Sequence, residues 1–488
     1  MSIQQTPNWL MQRAYLTPDR VALQKDNQQL TFQQLHENVS IITKKLHCLG
    51  IKKDARVAIL APNSIQMVEL LHACKYIGVI TVLLNTRLTT HELVWQIEDA
   101  DVEAVFADGN YFDLLGDSSA NVIPLEVLNE TQPKEDGLCI QTEFELGKPD
   151  TIMYTSGTTG SPKGVIHTYG NHYYSAVGSA LNLGLHHHDV WLACVPFFHV
   201  SGLSILMKSV IYGMKVIIHE GFDPKVINHS IQTENVTMIS LVSTMLQQVL
   251  TDLKESNQTY PEALRCVLLG GGPAPKSLLE RSKELGIPVY QTYGMTETAS
   301  QIVTLSPEYS LTKLGSAGKP LFHSQVKIMN EGKMQESLQP GEIVVKGPTV
   351  TSGYYKREEA TLASIQDGWL STGDIGYLDE DGFLFVLDRR KDLIISGGEN
   401  IYPAEIESVL LSHLSIQEAG VIGKDDDRWG QVPVAFVVAT GITESEVKKY
   451  CLERLAKYKV PAEVRFVTEL PRNATNKLQR HKLQEYLR

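Results

Sequence analysis

Cysteine is sparse: Cys48, Cys74, Cys139, Cys194, Cys266 and Cys451 are scattered through 488 residues, with no C-x-x-C pair. That pattern supplies neither a disulfide framework nor a zinc site, so these residues read as buried free thiols in a reducing compartment. Also missing is an apolar run of the roughly 18 to 20 residues that span a bilayer. The longest candidate, Leu203 to Ile218, is broken by Lys208 and Lys215. The segment Met1-Ser2-Ile3-Gln4-Gln5-Thr6-Pro7 lacks the basic and apolar regions of a signal peptide, so a cytoplasmic protein without membrane insertion is expected. Positive charge is in deficit, with a net charge of −12, which argues against nucleic acid or an anionic membrane as a partner of the whole surface. No internal repeat or low-complexity segment is present, and no Ser/His/Asp spacing of a nucleophilic hydrolase.

What is there begins with size and rhythm. A chain of 488 residues exceeds what one core organises, so two or more domains are expected. Through the first 300 residues apolar runs of strand length alternate with helical periodicity. Thr31 to Leu49, Ser64 to Tyr76 and Ser201 to Tyr212 read as helices; Val57 to Leu60, Val79 to Leu84, Val190 to Val195, Lys215 to Ile218 and Met238 to Leu241 read as strands. This alternation predicts βαβ units and largely parallel sheets. Beyond about residue 310, turn pairs such as Glu331-Gly332, Pro340-Gly341, Asp367-Gly368 and Asp381-Gly382 separate short β-rich pieces, as in a small antiparallel sheet or barrel. After the charged break Asp388-Arg389-Arg390-Lys391-Asp392 a compact α+β pattern follows. The expected architecture is α/β. Residues 1–390 form a large N-terminal domain of two parallel-type α/β subdomains plus a small β-barrel. Residues 391–488 form a small mobile α+β domain hinged near Lys391.

The stretch Tyr154-Thr155-Ser156-Gly157-Thr158-Thr159-Gly160-Ser161-Pro162-Lys163-Gly164 follows a β-prone run. Glycines bring backbone N–H groups close to a ligand, hydroxyls add short donors and Lys163 adds a mobile charge, which together suit a polyphosphate. It is not a Walker A loop: Pro162 occupies the second glycine position and Gly164 follows the lysine. Loops at 270–273, 292–297, 371–374 and 396–400 repeat the order strand, Gly or Thr, isolated polar group. Such loops converge where a doubly wound sheet binds ligands. Glu297 suits Mg²⁺ beside phosphates, or equally a helix N-terminal position. Asp374 suits two ribose hydroxyls or an ordinary turn. His199, after Pro196-Phe197-Phe198, is either a capping histidine or one that lines and gates a pocket. His186, His187 and His188 have only Asp189 nearby and read as an exposed turn.

In this order, the segments Tyr154 to Gly164, Gln291 to Glu297, Ser371 to Asp374, Asp388 to Asp392 and Pro471 to Lys477 resemble the adenylate-forming superfamily, which includes acyl-CoA synthetases, luciferases and peptide-synthetase adenylation domains. Within it, Pro196 to Leu203, Leu268 to Pro275 and Gln291 to Gln301 are most similar to ligases that join an aromatic dicarboxylic acid to coenzyme A. The resemblance implies ATP, Mg²⁺ and coenzyme A as cofactor and co-substrates. Thr155, Ser156, Gly157, Thr158, Thr159, Gly160 and Lys163 would hold the β and γ phosphates. Gly271, Gly272, Pro273 and Tyr293 would pack around adenine, with Thr292 and Gly294 also in the nucleotide site. Thr296 would contact the α-phosphate, Glu297 the metal, and Asp374 the ribose, with Arg389 nearby. Lys477 would bridge the acid and the α-phosphate. His199, Ser201, Gly270, Gly294 and Ser300 would line the acid pocket. Lys391 would be the hinge, and Gly397, Gly398 and Glu399 would face the site beside a pantetheine tunnel. One departure is Asn476, where the family has glycine before the lysine. A synthetase of other acid specificity, and an adenylation module that loads a carrier protein, are the alternative readings. A homo-oligomer is left open.

Overall fold

The computed structural model describes residues 4–133, 138–155, 162–271, 274, 276–388, 393–471 and 478–487. Helix starts follow local chemistry. Thr31 forms a reciprocal capping box with Gln34 ahead of helix Phe32–Cys48. Ser64 caps Ile65–Ile77, and Gly78 ends it in the left-handed region, as side-chain acceptors and glycine do at helix ends. The expected helix from Ser201 begins at Val200, and Lys215–Ile218 is a strand with its expected bounds.

Two large sheets and a small two-stranded one, Gln5–Pro7 with Glu143–Glu145, form the large domain among the described residues. The first orders its strands Gly353–Tyr354, Lys163–Thr168, Pro149–Thr155, Ile80–Leu83, Arg56–Leu60, Ala104–Ala107 and Asn121–Pro124. The last five are mutually parallel. The strands flanking the glycine-rich stretch pair antiparallel, with Thr151 opposite His167. The second sheet is parallel through Lys215–Ile218, Val190–Ala193, Met238–Val242, Cys266–Gly270 and Val289–Met295. It then runs on without a break into the antiparallel strands expected as a barrel.

Strand alternation explains the layering. Val57 and Ile59 join Trp191 and Ala193 in one core shared by the two sheets, whereas Ala58, Leu60 and Val82 face a second core and Leu192, Ile217 and Ile239 a third. Strands buried on both faces have to be apolar throughout, which is why these runs stood out in the sequence.

The small C-terminal domain has its own five-stranded sheet around Ile416–Asp426 and Gly430–Ala439, covered by helices Pro403–Leu411 and Glu444–Leu452. The expected division at 390/391, with Lys391, lies outside the described residues. Among the cysteines, Cys74, Cys194, Cys266 and Cys451 are buried, but Cys48 and Cys139 are exposed, against the expectation. Cys48 ends an amphipathic helix and Cys139 lies in a connecting segment, where chain position outweighs residue type. No helix of the described residues is long and apolar enough to cross a membrane.

Candidate active site

Three neighbouring parallel strands of the second sheet end at Val242, Gly270 and Met295, and these carboxyl ends open onto one cavity of about 210 Å³. His199, Ser201, Ser204, Thr292, Gly294, Thr296 and Ser300 line it from the large domain, and Gly397, Gly398, Glu399 and Asn400 close it from the small one. The crevice beyond the carboxyl ends is where open α/β sheets collect ligands. A second space of about 120 Å³ on the other side of Glu399 is lined by Thr155, Pro162, Thr296, His199, Tyr458 and Lys459. A third cleft of about 790 Å³, lined by Ser243, Gln247, Arg428, Trp429 and Gly430, shares Val242, Gly270, Gly271 and Gly398 with the first.

The turn at Thr296–Thr298 is held tightly. Ala299 and Ser300 both have positive φ, 50° and 95°, a conformation costing about 1–3 kcal/mol per residue unless its surroundings enforce it. They do: His167 Nε2 lies 2.6 Å from the Thr296 carbonyl, Thr351 N donates to the Glu297 carbonyl at 2.8 Å, and Ser175 Oγ donates to the Ala299 carbonyl at 2.6 Å. Gly294 is required opposite, because a Cβ there would sit 2.1 Å from the Ser300 carbonyl oxygen. The Glu297 carboxylate is buried and accepts from Tyr354 at 3.0 Å. Asp374, also buried, accepts from the Tyr293 hydroxyl at 2.8 Å, and the Tyr293 ring is packed in the core of the antiparallel strands. Thr292 Oγ1 donates to Val303 O at 2.8 Å. Lys163 Nζ stands 5.1 Å from the centre of the Tyr354 ring.

From the small domain a two-residue hairpin turn enters the site. Ser396 pairs with Glu399, and Gly397 and Gly398 have φ of 57° and 89°, the doubly left-handed turn that glycine fits. The turn delivers Glu399 between two groups of the large domain, Arg87 at 2.6 Å and His199 Nε2 at 3.1 Å. Burial opposes the charged form of Glu399, but His199 and Arg87 outweigh it, with help from Lys459, and hold the carboxyl at about 2. Beside it, buried Lys459 joins Glu405 of its own domain at 2.7 Å to Glu92 of the large domain at 2.6 Å.

Thr155, His199, Ser201, Gly270, Gly271, Thr292, Gly294, Thr296, Ser300, Gly397, Gly398 and Glu399 are thus brought around connected cavities. Glu297, Tyr293 and Asp374 lie behind the turn. Ser156, Gly157, Thr158, Thr159, Gly160, Gly272, Pro273, Arg389, Lys391 and Lys477 lie outside the described residues. The three adjacent histidines are exposed. Among the described residues no group of three or more His, Cys, Asp or Glu is placed to hold a metal.

Sequence reasoning missed Arg87, although Leu84-Asn85-Thr86-Arg87 repeats the strand-then-polar pattern of the other loops. It also missed Lys208, noted only as an interruption of an apolar run. Lys208 is 1% exposed, 3.5 Å from Ser204 Oγ one helical turn back and 5.1 Å from the Trp191 ring. Burial lowers its pKa to about 8. Among the described residues no carboxylate lies within ion-pair distance of it.

The family model described as AMP-binding enzyme matches residues 10–355, and AMP-binding enzyme C-terminal domain matches 405–477. A 2-succinylbenzoate–CoA ligase of Bacillus cytotoxicus is 57% identical over 484 residues, 99% of this chain and 98% of that protein. Among solved structures, a double mutant of o-succinylbenzoate CoA synthetase from Bacillus subtilis, bound with its product analogue OSB-NCoA, is 51% identical, covers 99% of both chains and has a TM-score of 0.95. The same synthetase with the acyl-adenylate intermediate OSB-AMP, or with ATP and a magnesium ion, again at 51% identity and 99% of this chain, gives 0.78; 98% and 100% of those chains are covered.

Proposed function

Because this chain belongs to the AMP-binding enzyme family, we propose that it is an ATP-dependent acid–thiol ligase acting on 2-succinylbenzoate, forming the acyl-adenylate and then the coenzyme A thioester. The sequence resemblance pointed specifically to the o-succinylbenzoate–CoA ligases of menaquinone biosynthesis. The observation that carries the reading is the cavity at the carboxyl ends of the second sheet, closed by Gly398 and Glu399 of the small domain.

In the first half-reaction the succinyl carboxylate attacks the α-phosphorus and pyrophosphate leaves. Two anions meet, so the work is positioning and charge neutralisation. We assign Thr296 to the α-phosphate, Lys477 to the approaching carboxylate, and Thr155 to Lys163 to the departing pyrophosphate. Glu297, a buried carboxylate adjoining Thr296 in the chain, is the residue that would hold Mg²⁺, an ion that takes most of its ligands from phosphates and water. When bound, it would neutralise charge on the phosphates. In the second half-reaction the thiol attacks the acyl carbon and AMP leaves. The third cleft, meeting the acid cavity at Gly271 and Gly398, is the proposed path for the pantetheine arm, with His199 and Glu399 at its inner end.

The arrangement of domains supports this division of labour. At 51% identity in each case, the double mutant of the Bacillus subtilis synthetase bound with its product analogue OSB-NCoA superposes on this chain more closely than the complex with the acyl-adenylate intermediate OSB-AMP, with TM-scores of 0.95 and 0.78. We read that difference as one of domain placement and not of fold. The present arrangement is read as the thioester-forming one, with Lys477 brought to the site by domain rotation.

The acid has a second, unreacting carboxylate. Lys208 with Ser204 is assigned to it, because an unpaired buried ammonium is costly unless a ligand compensates it, and Ser204 lines the cavity. The test is turnover with ATP, Mg²⁺, coenzyme A and a panel of acids. The expectation is preference for 2-succinylbenzoate, with Lys208→Met raising its KM about 10- to 100-fold, the scale on which a lost charge-assisted contact acts. Equal or better turnover of benzoate, coumarate or medium-chain fatty acids would overturn the substrate assignment.

A further inference from the structure

Behind the Thr296–Thr298 turn, away from every cavity described above, lies a line of five buried polar side chains that the proposed chemistry does not use. Lys75, Asp150, Thr151, His167 and His172 are each 3% exposed or less. Lys75 donates to Asp150 Oδ2. His172 Nε2 lies 3.4 Å from the same oxygen and 3.0 Å from Thr151 Oγ1. Thr151 Oγ1 lies 3.4 Å from His167 Nδ1, and His167 Nε2 reaches the Thr296 carbonyl at 2.6 Å. Such a line deep in a domain is costly unless each member is satisfied.

The hydrogens have one consistent arrangement. A carbonyl only accepts, so His167 carries its proton on Nε2 and leaves Nδ1 as an acceptor. Thr151 therefore donates to Nδ1, and its oxygen accepts from His172 Nε2–H, which stands 3.4 Å from Asp150 Oδ2. From His172 onward every donor points toward Thr296, with the Lys75–Asp150 pair anchoring the far end. The arrangement needs the His167 imidazole neutral. Burial lowers His167 to about 4 and His172 well below its ordinary value.

Position gives this line its consequence. Asp150, Thr151 and His167 sit on the two strands that flank the glycine-rich stretch, and His172 on the helix that follows. Thr296 follows the last parallel strand of the other sheet and opens the turn that ends in Ala299 and Ser300 at positive φ. We propose that His167, oriented by Thr151 and His172, is a positioning residue for adenylation: it locks the Thr296–Glu297 turn in register with the phosphate-loop hairpin. The two elements that grip opposite ends of the triphosphate then share one frame. The proposal rests on the ATP-dependent ligase reading for what the turn contacts.

The experiment compares wild type, His167→Gln and His167→Leu in two half-reactions: ATP–pyrophosphate exchange, and thioester formation from supplied acyl-adenylate. Leu keeps the bulk without a donor, whereas Gln offers an N–H to the same carbonyl. Leu should lower kcat for exchange about 10- to 100-fold, the scale on which orienting partners act, with a smaller change in KM for ATP and in thioester formation. Gln should restore most of the exchange rate. Loss by Leu and Gln alike, or loss spread equally over both half-reactions, would overturn the positioning role, as would exchange within twofold of wild type in the Leu variant. If the Leu variant fails to fold, Thr151→Val, nearly isosteric, serves instead: an exchange loss confined to kcat supports the line, and unchanged exchange overturns it. Absence of exchange in wild type would refute the ligase reading itself.

Discussion

The site is held from two sides by opposite means. From the small domain, Glu399 meets Arg87 and His199, and Lys459 joins Glu405 to Glu92. These contacts are ionic or ionisable, and all but Lys459–Glu405 cross between domains. From within the large domain, the Thr296–Ser300 turn is held by neutral donors on its backbone carbonyls. Ion pairs with their desolvation already opposed by attraction let two surfaces part into water, where both charges are resolvated. Neutral bonds to backbone in a dry interior have no such alternative, so they hold what has to stay still. The contact between the domains is fastened by charge; the turn inside the large domain is fastened by buried hydrogen bonds.

The comparison breaks most severely at Lys477. Lys477→Ala should lower adenylation about 10²- to 10³-fold, the cost of one transition-state charge contact, while thioester formation from supplied acyl-adenylate stays largely intact. Equal loss of both, measured by pyrophosphate release and by thioester absorbance, would contradict domain alternation. Next, Lys459→Met leaves Glu92 and Glu405 buried without their cation and should destabilise the small domain by about 3–5 kcal/mol, read by denaturant titration. Glu92→Gln, which removes only the cross-domain partner, should cost clearly less. Glu399→Gln weakens the contact with Arg87 and His199 and should slow thioester formation about tenfold, a charge-assisted bond's worth, without slowing adenylation. An equal effect on adenylation would place Glu399 outside the moving contact.

The smallest effect is on pH. Glu399 is held near 2 against an ordinary value of 4.5, so its contribution is present above about 4.5 and lost as pH falls toward 2. His167 is lowered to about 4 from 6.5. Its neutral burial is free above 6.5, and stability is lost as pH falls from 6.5 toward 4. Acid should therefore loosen the interior line before the domain contact. In melting temperature against pH, wild type should decline between pH 6.5 and 4 more than His167→Gln. Parallel curves would remove His167 from that account.

Much of the fold was legible because its strands are buried on both faces. Lys215–Ile218 and Cys266–Gly270 are apolar runs with no competing reading, and Thr31 and Ser64 announce their helices by capping chemistry. The continuity of the second sheet into the antiparallel strands was not legible, because pairing across Val303 and Pro320 depends on register between segments whose local pattern is merely strand. Residue type also misled at Cys48 and Cys139, where chain position set exposure.

At the site, three of the loops singled out in the sequence line the main cavity, at Gly270, at Thr292 to Thr296 and at Gly397 to Asn400. Glycine, hydroxyl and isolated charge after a strand are local features, so they are visible in the sequence where they occur. Only the tertiary structure decided which distant groups share that space. Arg87 meets Glu399 across 312 residues, His167 meets Thr296 across 129, and Lys459 meets Glu92 across 367. Each pair is made of residue types that are ordinary in their own neighbourhoods. Burial gives these residues their force, and burial is a property of packed sheets and docked domains that no local spacing encodes.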